Sequence, residues 1–329
     1  MCKNMHVVTI GNAIVDIISY CDDDFLLREN IKKGAMTLID AERLKSLYAA
    51  IGASVEMSGG SAANTAAGLA ALGSSTRYIG KVRDDKFGRV FRQDITAQGV
   101  HFDTSAALDG PQTACSLVLV TPDTQRSMNT FLGACVNLIS DDISEDMLAA
   151  AQMVYLEGYL WDQPESQKVF FKAIEIAHRT NGKIAMSLSD SFCVERYRAD
   201  FKNLVKRHVD LLFANEMEVL SLFESDRLDD ILDIIRIEVE TAVITRGEKG
   251  AVIVNRDEIH VLDAEPVANI VDSTGAGDLY AAGFLHGYTS GKDIITCGRI
   301  GMICASEIIS HIGARPEVDL KMLLTQKLS

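Results

Sequence analysis

The stretch that decides the fold is "VDSTGAGDLYAAGF", residues 271–284. Gly275 and Gly277 lack a Cβ, so the backbone can turn sharply here and approach a ligand closely. A helix that begins near Ala276 presents unpaired N–H groups and the positive end of its dipole, which together favour an anion. Asp278 on the same turn is therefore either a helix-start acid or a base placed beside a bound phosphoryl group.

This stretch resembles the signature of the ribokinase-like (PfkB) family of carbohydrate and nucleoside kinases. The matching residues are Asp272, Thr274, Gly275, Ala276, Gly277, Asp278, Ala282, Gly283 and Phe284. Ser273 stands where the family more often has Thr. The resemblance implies that Asp278 is the catalytic base. It also implies that the N–H groups from Gly275 through Ala276 to Gly277 form an anion hole for the transferred phosphoryl group.

Composition excludes several classes of protein. The chain has 329 residues and a net charge of -14, which argues against a nucleic-acid partner because phosphate backbones attract clustered Lys and Arg. Seven scattered cysteines form neither a disulfide framework nor a zinc ribbon. No apolar run reaches the roughly 18–20 residues needed to span a bilayer, and the N-terminal stretch is a poor signal peptide. We expect a cytoplasmic enzyme or binding protein with no membrane partner.

From residue 150 onward, near-continuous apolar segments alternate with helical patterns. This alternation predicts a mainly parallel sheet covered by helices on both faces, with ligands bound beyond the carboxyl ends of the strands. The resemblance implies a ribokinase-like three-layer α/β fold. Residues 113–134 predict a hairpin that turns at Pro122 and Asp123. Segments 15–40 and 101–131 do not fit the alternation, and we interpret them as a small β lid inserted into a single kinase domain over residues 1–329.

Other family marks predict the substrate side of the site. The predicted substrate-binding residues are Asn12, Asp16, Gly59, Gly60, Asn64 and Tyr159. By resemblance, Asp16 chelates vicinal sugar hydroxyls, which suits a carboxylate because it accepts two hydrogen bonds. The two glycines allow close backbone approach, and Asn64 bonds a hydroxyl. Tyr159, in "YLEGYLWD", is a flat partner for a purine, although an aromatic cluster of this kind is also typical of a core.

The nucleotide side is predicted in the same way. The residues assigned to it are Asn215, Glu218, Thr245, Gly247, Gly250 and Gly313. "NEME" resembles a family motif linked to Mg²⁺, which keeps several waters, so we expect the ion near Glu218 through water and without a direct protein ligand. Arg126, on the edge of the lid, is expected to reach phosphate, for which its planar fork of donors is suited. A monovalent cation such as K⁺ near Asp272 and Thr274 stays open.

Three functions compete for this sequence. "GNAIVD" and "GGSAAN" are closer to the adenosine kinases of the family than to its sugar kinases, although Ala13 stands where Pro is usual. We therefore expect ATP- and Mg²⁺-dependent phosphorylation of a nucleoside, with adenosine first. The alternatives are a kinase for ribose or a hexose and, in a different class, a nucleoside- or nucleotide-binding sensor without turnover. A monomer and a homodimer are both compatible with the sequence.

Overall fold

The architecture of residues 5–328 is described by a computed structural model. The strands are β1 (Met5–Ile10), β2 (Ile14–Tyr20), β3 (Met36–Leu38), β4 (Ser54–Gly59), β5 (Thr76–Ile79), β6 (Ala114–Val120), β7 (Arg126–Phe131), β8 (Ala151–Glu157), β9 (Lys183–Ser187), β10 (Leu211–Asn215), β11 (Thr241–Thr245), β12 (Ala251–Asn255) and β13 (Glu258–Leu262). The helices are α1 (Asp23–Arg28), α2 (Ala41–Ala50), α3 (Ser61–Ala71), α4 (Lys86–Ala97), α5 (Glu145–Leu148), α6 (Pro164–Arg179), α7 (Ser191–His208), α8 (Glu216–Phe223), α9 (Leu232–Glu238), α10 (Ala276–Thr289), α11 (Ile294–Ile308) and α12 (Leu320–Leu328).

The larger sheet has the order β13-β12-β11-β10-β9-β8-β1-β5. Its neighbours from β5 to β11 pair in parallel, and β12 and β13 complete it as antiparallel strands. The predicted mainly parallel sheet is therefore confirmed. Parallel neighbours end at the same edge of a sheet, so the residues that follow β1, β8, β9, β10 and β11 are brought together there.

Both faces of this sheet are buried, as the apolar strands predicted. Successive residues of β1 point to opposite sides: Val7 packs into one core cluster, and Val8 and Ile10 pack into the other. In β10, Leu211 and Leu212 divide in the same way. Because strand side chains alternate with a period of two, helices must cover each face, which gives the three layers.

The smaller sheet has the order β3-β7-β6-β2-β4. Its β6 and β7 form the predicted antiparallel hairpin, with Val120 opposite Arg126. Four of its strands lie in or at the borders of the predicted segments 15–40 and 101–131, whereas β4 lies outside them. Leu38 and Met36 on β3 are more than half exposed, so one edge of this sheet presents apolar side chains.

Several helices were not predicted, among them α1 and α7. Within segment 15–40, interpreted as part of the lid, α1 begins after Asp22, whose carboxylate accepts a hydrogen bond from the N–H of Phe25. Between β9 and β10 lies α7, which is capped by Asp190. Polar residues dominate α7, and its backbone leaves helical angles at Tyr197, so its apolar periodicity is weak. Among the described residues, no helix is both long and apolar enough to cross a membrane.

Candidate active site

The site lies where the strand ends of the larger sheet meet the start of α10. Gly275 precedes this helix with φ at +79°, a left-handed conformation that favours glycine. A Cβ on Gly275 would lie 2.7 Å from the Cβ of Ala314, so the neighbouring loop also demands a glycine. The positive dipole end of the helix therefore lies at this turn, as the sequence predicted. The predicted donor at Ala276 is occupied, because its N–H donates to the carbonyl of Ser273 at 3.2 Å.

A cavity of about 480 Å³ opens beside this turn and unites most of the predicted residues. Those that line it are Asn12, Asp16, Gly60, Asn64, Tyr159, Asn215, Glu218, Thr245, Gly275, Gly277 and Asp278. The predicted residues that do not line it are Gly59, Ala276, Arg126, Gly247, Gly250 and Gly313. Both the substrate side and the nucleotide side thus face one continuous space.

Asp278 lies in the cavity wall and is held from α3. Ser61 Oγ donates to its Oδ1 at 2.7 Å, and Asn64 Nδ2 donates to its Oδ2 at 2.9 Å. Burial raises the pKa of Asp278, while these two hydrogen bonds and the charge of Arg315 act in the opposite direction. A general base is most effective when its pKa lies near the working pH, so this shift suits proton abstraction from an alcohol.

The Asn64 amide is held in turn by Arg315, a residue that the sequence reading did not single out. Arg315 Nη1 donates to Asn64 Oδ1, and Nη2 donates to the carbonyl of Ser58 at 2.5 Å. The Ser58 N–H and Oγ both donate to Asp94. The only sequence signal for Arg315 was its place in "GARP", close to Gly313, which was assigned to the nucleotide side.

Asp16 projects from β2 toward the cavity. Burial raises its pKa to about 6, against the opposing charges of Arg315 and Arg126. A Cβ on Gly59, from the adjoining strand β4, would lie 2.1 Å from Asp16 Oδ2. Gly59 therefore leaves room for this carboxylate and has no surface on the cavity itself.

Glu157, at the end of β8, lines the cavity and is a further residue that the sequence analysis did not single out. Its Oε1 accepts hydrogen bonds from the backbone N–H of Asn12 at 3.3 Å and from Asn12 Nδ2 at 3.1 Å. Its Oε2 accepts from the N–H of Ala62 at 2.8 Å, so one carboxylate fixes both the β1–β2 connection and the start of α3. Burial raises its pKa to about 7. An acid ending an apolar strand was the available signal.

On the nucleotide side, Asn215 and Glu218 form a capping box at the start of α8. Glu218 N–H donates to Asn215 Oδ1 at 2.9 Å, and Glu218 Oε2 accepts from Asn215 N–H at 2.9 Å. Burial raises the pKa of Glu218 to about 7. Within residues 5–328, no cluster of three or more His, Cys, Asp or Glu side chains is placed to hold a metal ion.

The remaining predicted residues have structural contacts. Gly250 turns from β11 into β12, and a Cβ there would lie 1.9 Å from the carbonyl oxygen of Leu262. Gly247 precedes it in the same turn with φ at +58°. Gly313 N–H donates to Asp272 Oδ2 at 3.0 Å, and Arg126 Nη2 lies 2.5 Å from the same oxygen.

Within the stretch "YLWD", residues 159–162, Tyr159 is the aromatic residue that lines the cavity. Its side chain is partly exposed, and its backbone N–H donates to Ser189 Oγ at 3.1 Å. Trp161, by contrast, is buried and packs edge-on against Phe170. Of the aromatic cluster "YLWD", one ring is available to a ligand and the other belongs to the core.

Comparisons with known proteins agree with this architecture. Residues 6–320 match the pfkB family carbohydrate kinase domain. The crystal structure of adenosine kinase from Sinorhizobium meliloti is 48% identical, with a TM-score of 0.91 over 98% of this chain and 99% of that chain. A probable sugar kinase from Rhizobium etli is 46% identical, with a TM-score of 0.92 over 98% of both chains. Adenosine kinase 2 of Arabidopsis thaliana is 24% identical over 92% of this chain and 93% of its own length.

The fold and the site thus define an α/β phosphotransferase. The chain belongs to the PfkB family of carbohydrate kinases, because the residues that match this family span almost the whole chain. The family implies ATP as the phosphoryl donor and typically Mg²⁺.

Proposed function

We propose that this kinase transfers the γ-phosphoryl group of ATP to the 5′-hydroxyl of a nucleoside, and that adenosine is its substrate. The observation that carries the proposal is the position of Asp278. Its carboxylate shares one cavity wall with the Gly275–Gly277 turn and is oriented by Ser61 and Asn64. Phosphoryl transfer needs this combination, because a group must accept the hydroxyl proton where N–H donors face the migrating charge.

The residues divide the reaction between them. Asp16 would accept hydrogen bonds from the vicinal ribose hydroxyls, which leaves the 5′-hydroxyl directed toward Asp278. Asp278 would take the hydroxyl proton as the oxygen forms its bond to the γ-phosphorus and the bond to the β–γ bridging oxygen breaks. The N–H groups at the start of α10 would stabilise the charge on the transferred group. Mg²⁺, bound through phosphate and water near Glu218, would neutralise further charge.

The substrate preference is supported by the cavity wall and by one relative. The smaller sheet and the segment after it supply five apolar residues to the wall, Met36, Leu38, Met128, Leu132 and Val136, beside the polar Asp16, Ser116 and Thr130. A flat base has apolar faces that such a wall can cover, whereas a free sugar offers mainly hydroxyls. The adenosine kinase of Sinorhizobium meliloti, at 48% identity over nearly the whole chain, adds to this support.

A sugar kinase is the second candidate. It is favoured by the probable sugar kinase of Rhizobium etli, whose 46% identity is nearly as high. A sensor without turnover is the third, although a pure binding protein would not need an oriented base beside N–H donors.

ATP-dependent phosphorylation of a panel of nucleosides and free sugars tests the proposal. The panel contains adenosine, inosine, guanosine, cytidine, ribose and several hexoses, each assayed with Mg²⁺ and with either K⁺ or choline as the monovalent cation. Turnover of adenosine with AMP as product supports the proposal. Turnover of free sugars alone assigns the second candidate, and binding without product assigns the third.

A further inference from the structure

Arg315 has no place in the reaction as proposed, yet it touches the groups that orient the base. It lies on the loop that follows α11, 251 residues from Asn64 along the chain. Its Nη1 donates to Asn64 Oδ1 and to the carbonyl of Ala314, and its Nη2 donates to the carbonyl and Oγ of Ser58. Its Nε is buried without a hydrogen-bond partner, so the guanidinium is enclosed at this point.

These contacts determine which way the Asn64 amide faces. Arg can only donate, so the atom of Asn64 that meets Arg315 must be the carbonyl oxygen. The amide nitrogen is then directed to Asp278 Oδ2, and an ionised carboxylate can accept the hydrogen bond that it donates. With no cation behind it, the Asn64 amide could rotate and place its oxygen against the carboxylate, where two acceptors would repel.

The charge of Arg315 also acts on Asp278 and on Asp16. It lowers the pKa of both carboxylates against the rise that burial causes. Two further titratable groups, Glu157 and Tyr155, are close enough to Asp278 for its charge to raise their pKa values. Two acids, Asp16 and Glu157, and the phenol of Tyr155 thus surround the base, and Arg315 is the cation whose charge lowers the pKa of Asp278.

We propose that Arg315 is a positioning residue for phosphoryl transfer: its fork fixes the Asn64 amide, and its positive charge favours the carboxylate form of Asp278. The proposal rests on the role of Asp278 in the proposed function. The two parts of the role are separable, because Lys keeps the charge but loses the planar fork, whereas Gln loses the charge.

The first experiment needs no substrate. The carboxyl carbon of Asp278 is followed by NMR as pH is varied in protein labelled at Asp ¹³Cγ, with Asp278→Asn identifying the resonance. We expect Arg315→Gln to raise the titration midpoint by about one unit or more, and Arg315→Lys to leave it near the wild-type value. The control is Arg92→Gln, because Arg92 is also half-buried and donates to two backbone carbonyls, of Phe102 and Thr104, outside the cavity.

The second experiment uses the acceptor that turns over. We expect Arg315→Lys to lower kcat by about 10²-fold at all pH values through misplacement of the base. Arg315→Gln should add an upward shift of the acid limb of the kcat profile. In an Asn64→Leu background, which has no amide to orient, Arg315→Lys should lower kcat much less.

The outcomes separate this proposal from the proposed function. An unchanged Asp278 midpoint in folded Arg315→Gln, or an equal effect of Arg315→Lys with and without the Asn64 amide, would overturn the positioning role. If no acceptor in the panel is phosphorylated, the proposed function fails, and the NMR titration still decides whether Arg315 controls Asp278. Thermal unfolding of each variant identifies any loss of the fold. If Arg315→Gln is too unstable to titrate, Arg315→Lys, which retains the charge, is the variant in which the positioning role is still measured.

Discussion

Arg126 Nη2 lies 2.5 Å from Asp272 Oδ2, so an ion pair connects β7 of the smaller sheet to the turn that opens α10. Both side chains are almost fully enclosed, at 9% and 4% exposure. Asp272 Oδ1 also accepts the N–H of Thr274 at 3.0 Å, inside the same turn. The turn that opens α10 and the smaller sheet are therefore held together by one carboxylate.

We predict strong energetic coupling between these two residues. Arg126→Gln or Asp272→Asn alone leaves a buried charge without its partner and should lower the free energy of unfolding by about 3–5 kcal/mol. The double variant should cost less than the sum, with a coupling of about 1–3 kcal/mol in urea unfolding. The exposed pair of Arg89 and Asp84 is the control and should couple by less than about 1 kcal/mol. Additive costs at Arg126 and Asp272 would contradict the pair.

Asp278→Ala tests the base directly. We expect kcat to fall at least about 10²-fold, because Asp278 is the carboxylate that Ser61 and Asn64 hold in the cavity wall at the start of α10. Affinity for ATP, measured by calorimetry, should change little. Glu42→Ala is the matched control, since Glu42 is an exposed acid in the first turn of α2 and serves only as a helix-start acid. A nearly normal kcat in Asp278→Ala would show that Asp278, like Glu42, is a helix-start acid and not the base.

Local patterns predicted the parts of this site that are local in sequence. The turn at Gly275 and the helix after it are formed within a few residues and were predicted. The capping box of Asn215 and Glu218 is equally local, but the sequence analysis assigned these residues to the nucleotide side and not to a helix cap. The parallel sheet was predictable for a similar reason, since burial on both faces requires apolar strands. These segments line one cavity because they lie at the same edge of the sheet, where the parallel strands end.

The contacts that orient the site could not be predicted, because they join residues far apart in sequence. Glu157 meets Ala62 across 95 residues, and Arg315 meets Asn64 across 251. A single sequence contains the donors and acceptors, but their pairing depends on how the loops pack. Arg126 shows the same difficulty. A guanidinium group is suited to phosphate, but in the structure that of Arg126 pairs with Asp272.

Glu157→Gln should destabilise the protein and disturb the substrate side. All three groups that meet this carboxylate are N–H donors, so the amide nitrogen of Gln would oppose a donor and leave it unpaired. We expect a loss of about 1–3 kcal/mol in urea unfolding and a raised KM for the acceptor, because Asn12 and the start of α3 are both released.

Glu165→Gln is the control for this prediction, since Glu165 is an exposed partner of Lys168 on α6. It should change stability by less than about 1 kcal/mol and leave KM unaltered. If Glu157→Gln matched Glu165→Gln in both measurements, the carboxylate would have no structural role at the cavity.

Glu218→Gln should change how stability depends on pH. The folded protein holds the Glu218 proton up to about pH 7, whereas the unfolded chain releases it near the ordinary pKa of 4.5. Between these values the unfolded state binds fewer protons, so the wild type loses stability as pH rises and the loss is complete above pH 7. Gln cannot titrate, and its Oε1 can still accept the N–H of Asn215 in a capping box. Its Nε2 would face Asn215 Nδ2, which donates to Glu218 Oε1 at 2.6 Å, but the cost of that contact does not depend on pH.

The free energy of unfolding of Glu218→Gln, relative to wild type, should therefore rise by about 3 kcal/mol between pH 4.5 and pH 7 and stay level above. The shared contributions of Asp16 and Glu157 cancel in this difference. Urea unfolding at half-unit pH intervals measures it, with Glu42→Gln, an exposed first-turn acid, as the baseline. A difference that stayed constant from pH 4.5 to pH 8 would show that Glu218 is ionised throughout this range, and that its hydrogen bonds to Asn215 outweigh the effect of burial.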